Sequence, residues 1–201
     1  DKDNGIYYKI HNNDFRALIN VEYFDSAKER IFSYDAETGV FGGFTRNFAQ
    51  KSLKLIFTEG MERNVVNYPV FGDFSFDVTG ETIDSFKRLR LHTGGNDSKH
   101  TTFLDGMIMD LSKDMNMAIN PYVPVITFIN GEYWGLYGLR EDYKSDFFQN
   151  RFHVDYENVI AIKIVWGCDN VPDVTSGLPE DIRFYEEMYS FLENYDFGSD
   201  V

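Results

Sequence analysis

Apolar and polar residues alternate from Leu18 to Phe24 (LINVEYF), the two-residue period of a strand with one face turned to a core. A glycine-bearing stretch, GVFGGFTRNFAQ, leads into KSLKLIF at 51–57. There Lys51, Leu53, Leu55 and Phe57 share one face, and Ser52, Lys54 and Ile56 the other. In FKRLRLH at 86–92, Leu89 and Leu91 lie opposite Arg88, Arg90 and His92. A polar loop, TGGNDSKH, then gives way to helical spacing. Leu104, Ile108, Leu111 and Met115 mark the buried stripe of a helix at about 102–117. Two apolar-rich runs, 122–129 and 132–139, are separated only by Asn130-Gly131, the dipeptide a type I′ turn favours, and so form a β-hairpin. A polar helix at about 142–151, a strand at 158–165 and a helix at about 180–195 follow. On the last, Ile182, Tyr185, Met188, Leu192 and Tyr195 face inward. Strands, one helix, a hairpin and more helix describe an α+β fold with a mainly antiparallel sheet and flanking helices. The regular strand–helix alternation of a doubly wound parallel sheet is missing.

Composition narrows the function classes. A chain of 201 residues suffices for one large domain with a real core. Its 19 Lys and Arg against 33 Asp and Glu give a net charge of −14, which repels phosphate backbones and anionic lipid. Nucleic-acid binding and a polybasic membrane anchor therefore fall first; a small anionic ligand in a locally basic cleft does not. Cys168 is the single cysteine, so neither a disulfide nor a cysteine metal cage can form within the chain. His11, His92, His100 and His153 never stand at i, i+4, and no metal site is expected. The longest apolar stretch, 159–165, is interrupted by Lys163 and is too short to span a bilayer. No signal peptide is legible, and a start at Asp1 in place of Met reads as a cut, which leaves localisation open.

Among candidate chemical groups, Lys51 is the most informative, because its period-two neighbours are apolar. Two readings follow: a phosphate-gripping lysine on a strand, as in kinase-like folds, or a strand-opening lysine that snorkels to solvent. Spacing alone favours the second. If Lys51 does face a cleft, it needs a counter-charge; Asp105 borders the helix stripe at about 90° from its midline, with Asp110 and Asp114 on the opposite flank. Thr102-x-x-Asp105 also has the form of a helix-start capping pair, which already accounts for that acid. Gly39, Gly42 and Gly43 with Arg46 match no phosphate-loop pattern and read alone as a turn. Asp196-Phe197-Gly198 spells a kinase metal motif, but no H-R-D loop precedes it and Gly198 reads as a helix stop. Tyr133 and Tyr137 alternate onto one face of the hairpin, which raises a carbohydrate-binding module as a rival to core packing.

Taken together, three segments resemble the CotH family, the spore coat protein H-like atypical kinases. They are INVEYFDSAKERIFSYDAETGVFGGFTRNFAQKSLKLIFTEG at 19–60, YPVFGD at 68–73 with FKRLRLHTGGND at 86–97, and the stretch from 101 to about 160 containing PVITFINGEYWGLYGLREDYKSDFF. The resemblance implies a kinase-like N-lobe over 1–178, with 179–201 a helix leading toward a C-terminal lobe. It implies transfer of phosphate from ATP, with Mg or Mn, to Ser or Thr of a protein such as a coat or secreted protein. It implies a location in the spore coat or at the cell surface. Position by position, Lys51 would bind phosphate, Arg46 would support the glycine-bearing loop, and Glu141, at the hairpin exit, would lie near adenine. Leu104 stands where many relatives carry arginine, and the helix lacks the glutamate that kinases pair with their lysine. The family's catalytic and metal-binding aspartates lie beyond the helix ending near Tyr195, so the segment itself is expected to be inactive. The rival classes are a non-catalytic surface or carbohydrate-binding module and a structural spore-coat assembly protein.

Overall fold

A computed structural model describes residues 15–57, 64–115, 117–164 and 172–195. Cys168, His11 and the Asp196–Gly198 tripeptide lie outside the described residues. The chain divides into two compact units, Asp1–Asp142 and Tyr143–Val201, with the boundary at the hairpin exit.

The first unit is built on a six-stranded antiparallel sheet. In chain order its strands are β1 (Ala17–Phe24), β2 (Arg30–Phe41), β3 (Ser52–Ile56), two short pieces β4 (Val66–Asn67) and β5 (Ser85–Phe86) that pair with each other, and β6 (Arg88–His92). Helix α1 (Leu104–Leu111) precedes β7 (Val123–Ile129) and β8 (Glu132–Glu141), and the sheet order is β1-β2-β3-β6-β8-β7. The fold is α+β and mainly sheet, as the sequence pattern indicates. Strand β2 alternates as well, with Phe32, Tyr34, Ala36, Thr38 and Val40 at one parity and Ser33, Asp35, Glu37 and Gly39 at the other, and it pairs with both β1 and β3.

Period-two alternation sorts the strand residues cleanly. Leu55, Phe57, Leu89 and Leu139 lie on one face and are buried with Phe32 and Ala36. Val66, Val70, Phe71, Ile83 and Phe86, from the segment between β3 and β6, close over that face. Phe71 and Phe86 meet edge to face at 5.1 Å, the arrangement ring quadrupoles favour. At the hairpin, Asn130 and Gly131 have φ of +52° and +81°, as a type I′ turn requires.

Helix α1 corrects one expectation. Leu104, Ile108, Leu111 and Met115 are all exposed, and Gly106 is the residue α1 buries. A Cβ at Gly106 would sit 2.4 Å from the Tyr122 ring, and one at Gly138 of β8 would sit 2.2 Å from the same ring. Tyr122 is thus sandwiched between two glycines, and this close approach seats α1 by its glycine side.

In the second unit, α2 (Ser145–Phe152) is followed by the antiparallel pair β9 (Ala161–Ile164) and β10 (Pro172–Ser176), then α3 (Ile182–Asn194). On α3, Met188, Leu192 and Tyr195 are exposed, where the pattern placed them inward. Among the described residues no helix is long and apolar enough to cross a membrane.

Candidate functional site

Directly opposite residues of an antiparallel pair share a face. The registers Lys54↔Arg90 and Arg90↔Arg140 therefore set three cations in one row across β3, β6 and β8. The row lies on the face opposite the Leu55–Leu89 core. Like charges directly opposite each other destabilise a sheet. Two of the three are compensated: Arg90 donates to Asp142 Oδ1, and Arg140 donates to Asp105 Oδ2 on α1. Lys54 has no hydrogen bond or ion pair among the described residues. Burial and then the Arg16 guanidinium push its ammonium below the ordinary lysine value; Asp142 opposes them, and Arg90 and Arg46 add to them.

The donors tell the same story. The Nε–H groups of Arg90 and Arg140 are buried and meet no acceptor among the described residues. A buried donor left unmet costs about 1–3 kcal/mol. His92 lies further along the same face, its ring 5.9 Å from Phe41, over which Arg90 also stacks at 4.7 Å. Burial, Arg140 and Arg90 hold the imidazole below its usual value, with Asp105 pulling the other way. An anion with several oxygens, such as a phosphate group, would complement the charge of this face.

The residues singled out from sequence lie elsewhere. Lys51 is buried on the core side of the strand, and its Nζ donates to the carbonyl of Phe48. Arg46, in a 3-10 turn at Phe44–Asn47, donates its Nε to the carbonyl of Gly42. Both cations thus tie down the 42–48 loop, in which Gly42 has φ of +114° and a Cβ would meet Thr45 Oγ1 at 2.4 Å. Glu141 faces Leu89 across the β6–β8 pair, on the core side, and its backbone is held at both ends by Asn120: Nδ2 donates to the Glu141 carbonyl at 2.9 Å, and Oδ1 accepts its N–H at 3.2 Å. Asp105 is brought to Arg140, not to Lys51, because α1 packs on the face that carries Arg140 and Gly138.

Lys54, Arg90 and Arg140 were the residues sequence reasoning passed over. Their signal was present in part, in the alternation that set Lys54 apart from Lys51 and Arg90 apart from Leu89. Only the strand registers, which join segments far apart in the chain, show that they form one row.

The hairpin aromatics also separate. Thr127 pairs with Gly135 and Phe128 with Tyr133, so Trp134 is an extra residue in β8 and the parity of the strand changes there. Tyr133 is exposed, whereas Tyr137 is buried and donates its hydroxyl to the Lys51 carbonyl at 3.0 Å. They do not form one aromatic face.

Among the described residues no three His, Cys, Asp or Glu side chains gather as a metal cage. No curated protein matches the chain. Residues 39–199 match the family model described as CotH kinase protein, a span that takes in the 42–48 loop, the cation row and α1, and the chain belongs to the CotH family.

Proposed function

We propose that this chain supplies the nucleotide-binding part of a CotH-type, ATP-dependent protein kinase, and that the phosphates lie on the Lys54–Arg90–Arg140 face. The observation that carries the reading is the row itself: three cations in register, one unpaired and two with unmet buried Nε donors. In protein kinases the phosphate-binding lysine stands on the strand that leads into a helix bearing its acidic partner. Here the strand leading into α1 is β6, which carries Arg90, and the acid of α1 that meets the row is Asp105, through Arg140 of β8. On this reading the phosphate-binding role expected of Lys51 passes to Lys54 and Arg90, and Lys51 with Arg46 shapes the glycine-bearing loop that borders the phosphates. The Glu141 side chain is buried on the core face, opposite the row, so on this reading the place near adenine expected of it does not carry over.

Bound ATP supplies the transferable phosphoryl group. Lys54 and the two guanidinium groups neutralise and orient the phosphate oxygens, and Asp105 and Asp142 hold the guanidinium planes in place. A Mg or Mn ion accompanying ATP binds through phosphates and one or two carboxylates and needs no multi-residue cage. No described residue is placed as a general base, so the chain by itself binds nucleotide without transferring phosphate. Acceptors of the parent enzyme are Ser or Thr of a coat or secreted protein, and the corresponding location is the spore coat or cell surface.

Titration of a fluorescent ATP analogue into the chain tests this reading. Lys54→Ala should weaken binding about tenfold, and binding should fall steeply with salt. Labelled ATP should leave generic protein acceptors unlabelled. Unchanged affinity in Lys54→Ala together with complete loss in Lys51→Ala would return the site to the other face, and label transfer abolished by a point mutation in this chain would overturn its inactivity.

A further inference from the structure

Helix α1 has a second side. Away from Asp105, Phe103 and Met107 join Phe74, Phe76, Tyr122 and Leu136 in lining a groove of about 880 Å³ within the first unit. Phe74, Phe76, Phe103, Met107 and Leu136 are between 42% and 58% exposed, so this lining lies open. Cavities of roughly 300–1,000 Å³ enclose a drug-sized molecule, and this groove is at the upper part of that range.

The groove's charge selects what it fits. Asp73, Asp110 and Asp114 stand along it against one base, Lys113, which lies 3.6 Å from Asp110. Asp73 and Asp114 have no ion-pair or hydrogen-bond partner among the described residues. An apolar floor with unpaired carboxylates at its edge complements apolar anchors flanked by lysine or arginine, and repels acidic flanks. A helix that lays i, i+4, i+7 anchors into a groove is the common form of such a segment.

We propose that the groove between α1 and the 73–76 segment docks a basic amphipathic segment of a partner protein. The site is separate from the cation row, and it does not rest on the nucleotide reading.

The test uses the chain without nucleotide and two labelled synthetic peptides. One carries Phe and Leu anchors at i, i+4 and i+7 with Lys and Arg between them; its twin has Glu at every basic position. Fluorescence anisotropy should show the basic peptide binding at least about tenfold tighter. The Phe103→Ser/Met107→Ser variant changes two exposed residues, and with an unchanged melting curve it should lose that binding about tenfold. Asp73→Lys/Asp114→Lys should reverse the preference toward the acidic twin, and Leu18→Ser on β1 should change nothing. Equal binding of the twins overturns the proposal. So does undiminished binding by Phe103→Ser/Met107→Ser, which would mean attraction to net charge alone. Sedimentation showing a dimer that the same variant abolishes would give the groove to a second copy and overturn it as well.

Discussion

The two faces of the six-stranded sheet are drawn from alternate residues of the same strands, yet they obey opposite rules. On one, Leu55, Leu89 and Leu139 are buried beneath Val66, Val70 and Phe86 in a single apolar cluster. On the other, Lys54, Arg90 and Arg140 stand opposite one another, and two carboxylates compensate three cations. The first face is what a stable sheet needs. The second sets like charges opposite one another, and with buried guanidinium donors unmet among the described residues it is the face on which the proposed phosphate site rests. Strand β3 shows the contrast within five residues, Leu53 and Leu55 turned one way and Lys54 the other.

Three experiments break or sharpen that contrast. The largest effect is expected on the apolar face. Leu89, 2% exposed at the centre of the core, should cost about 3 kcal/mol as Leu89→Ala in urea unfolding. A loss under about 1 kcal/mol would mean that this face is not the core. The charged face should respond less, and with both signs. Asp105→Asn leaves the buried Arg140 guanidinium poorly met and should cost about 1–2 kcal/mol, whereas Lys54→Ala removes a repelled ammonium and should be neutral or slightly stabilising. A large loss from Lys54→Ala would show that the row holds the fold together and would end the contrast.

The smallest effect is a pH dependence. The imidazole of His92 is held below its usual value, so as pH falls the unfolded chain takes up this proton before the folded chain does. Stability from this residue is therefore full above the ordinary histidine value and declines as pH falls from about 6.5 toward the lowered folded value. His92→Gln should flatten that part of the urea midpoint profile between about pH 5 and 7. An identical profile in the variant would show that burial, Arg140 and Arg90 do not lower the imidazole.

Local pattern reached the elements whose residues state their own partners. The alternation of Lys51, Leu53, Leu55 and Phe57 corresponds to four buried side chains, and Asn130-Gly131 makes the turn its φ preferences allow. It failed wherever the answer depends on a distant segment. The stripe of α1 identifies residues that share a side of the helix but not what lies against it, and the contact is made instead by Gly106 beneath Tyr122. Lys51 and Lys54 could be assigned to opposite faces from spacing, yet which face carries Arg90, Arg140 and α1 is decided by the pairing of β3 with β6 and β6 with β8. One extra residue at Trp134 was enough to separate Tyr133 from Tyr137.

The clamp on Glu141 has a consequence for how the molecule ages. Asn120 is 3% exposed and stands in for a neighbouring strand, its amide satisfying both backbone groups of one residue. Spontaneous deamidation would replace that donor with a carboxylate oxygen facing the Glu141 carbonyl, and the mimicry would fail. The usual route begins with attack on the side-chain amide by the backbone nitrogen of the next residue, which must give up its proton. That residue is Pro121, which has no N–H to lose. The asparagine on which the end of β8 depends is thereby shielded from the commonest chemical lesion of its kind, a durability built into the order of two residues.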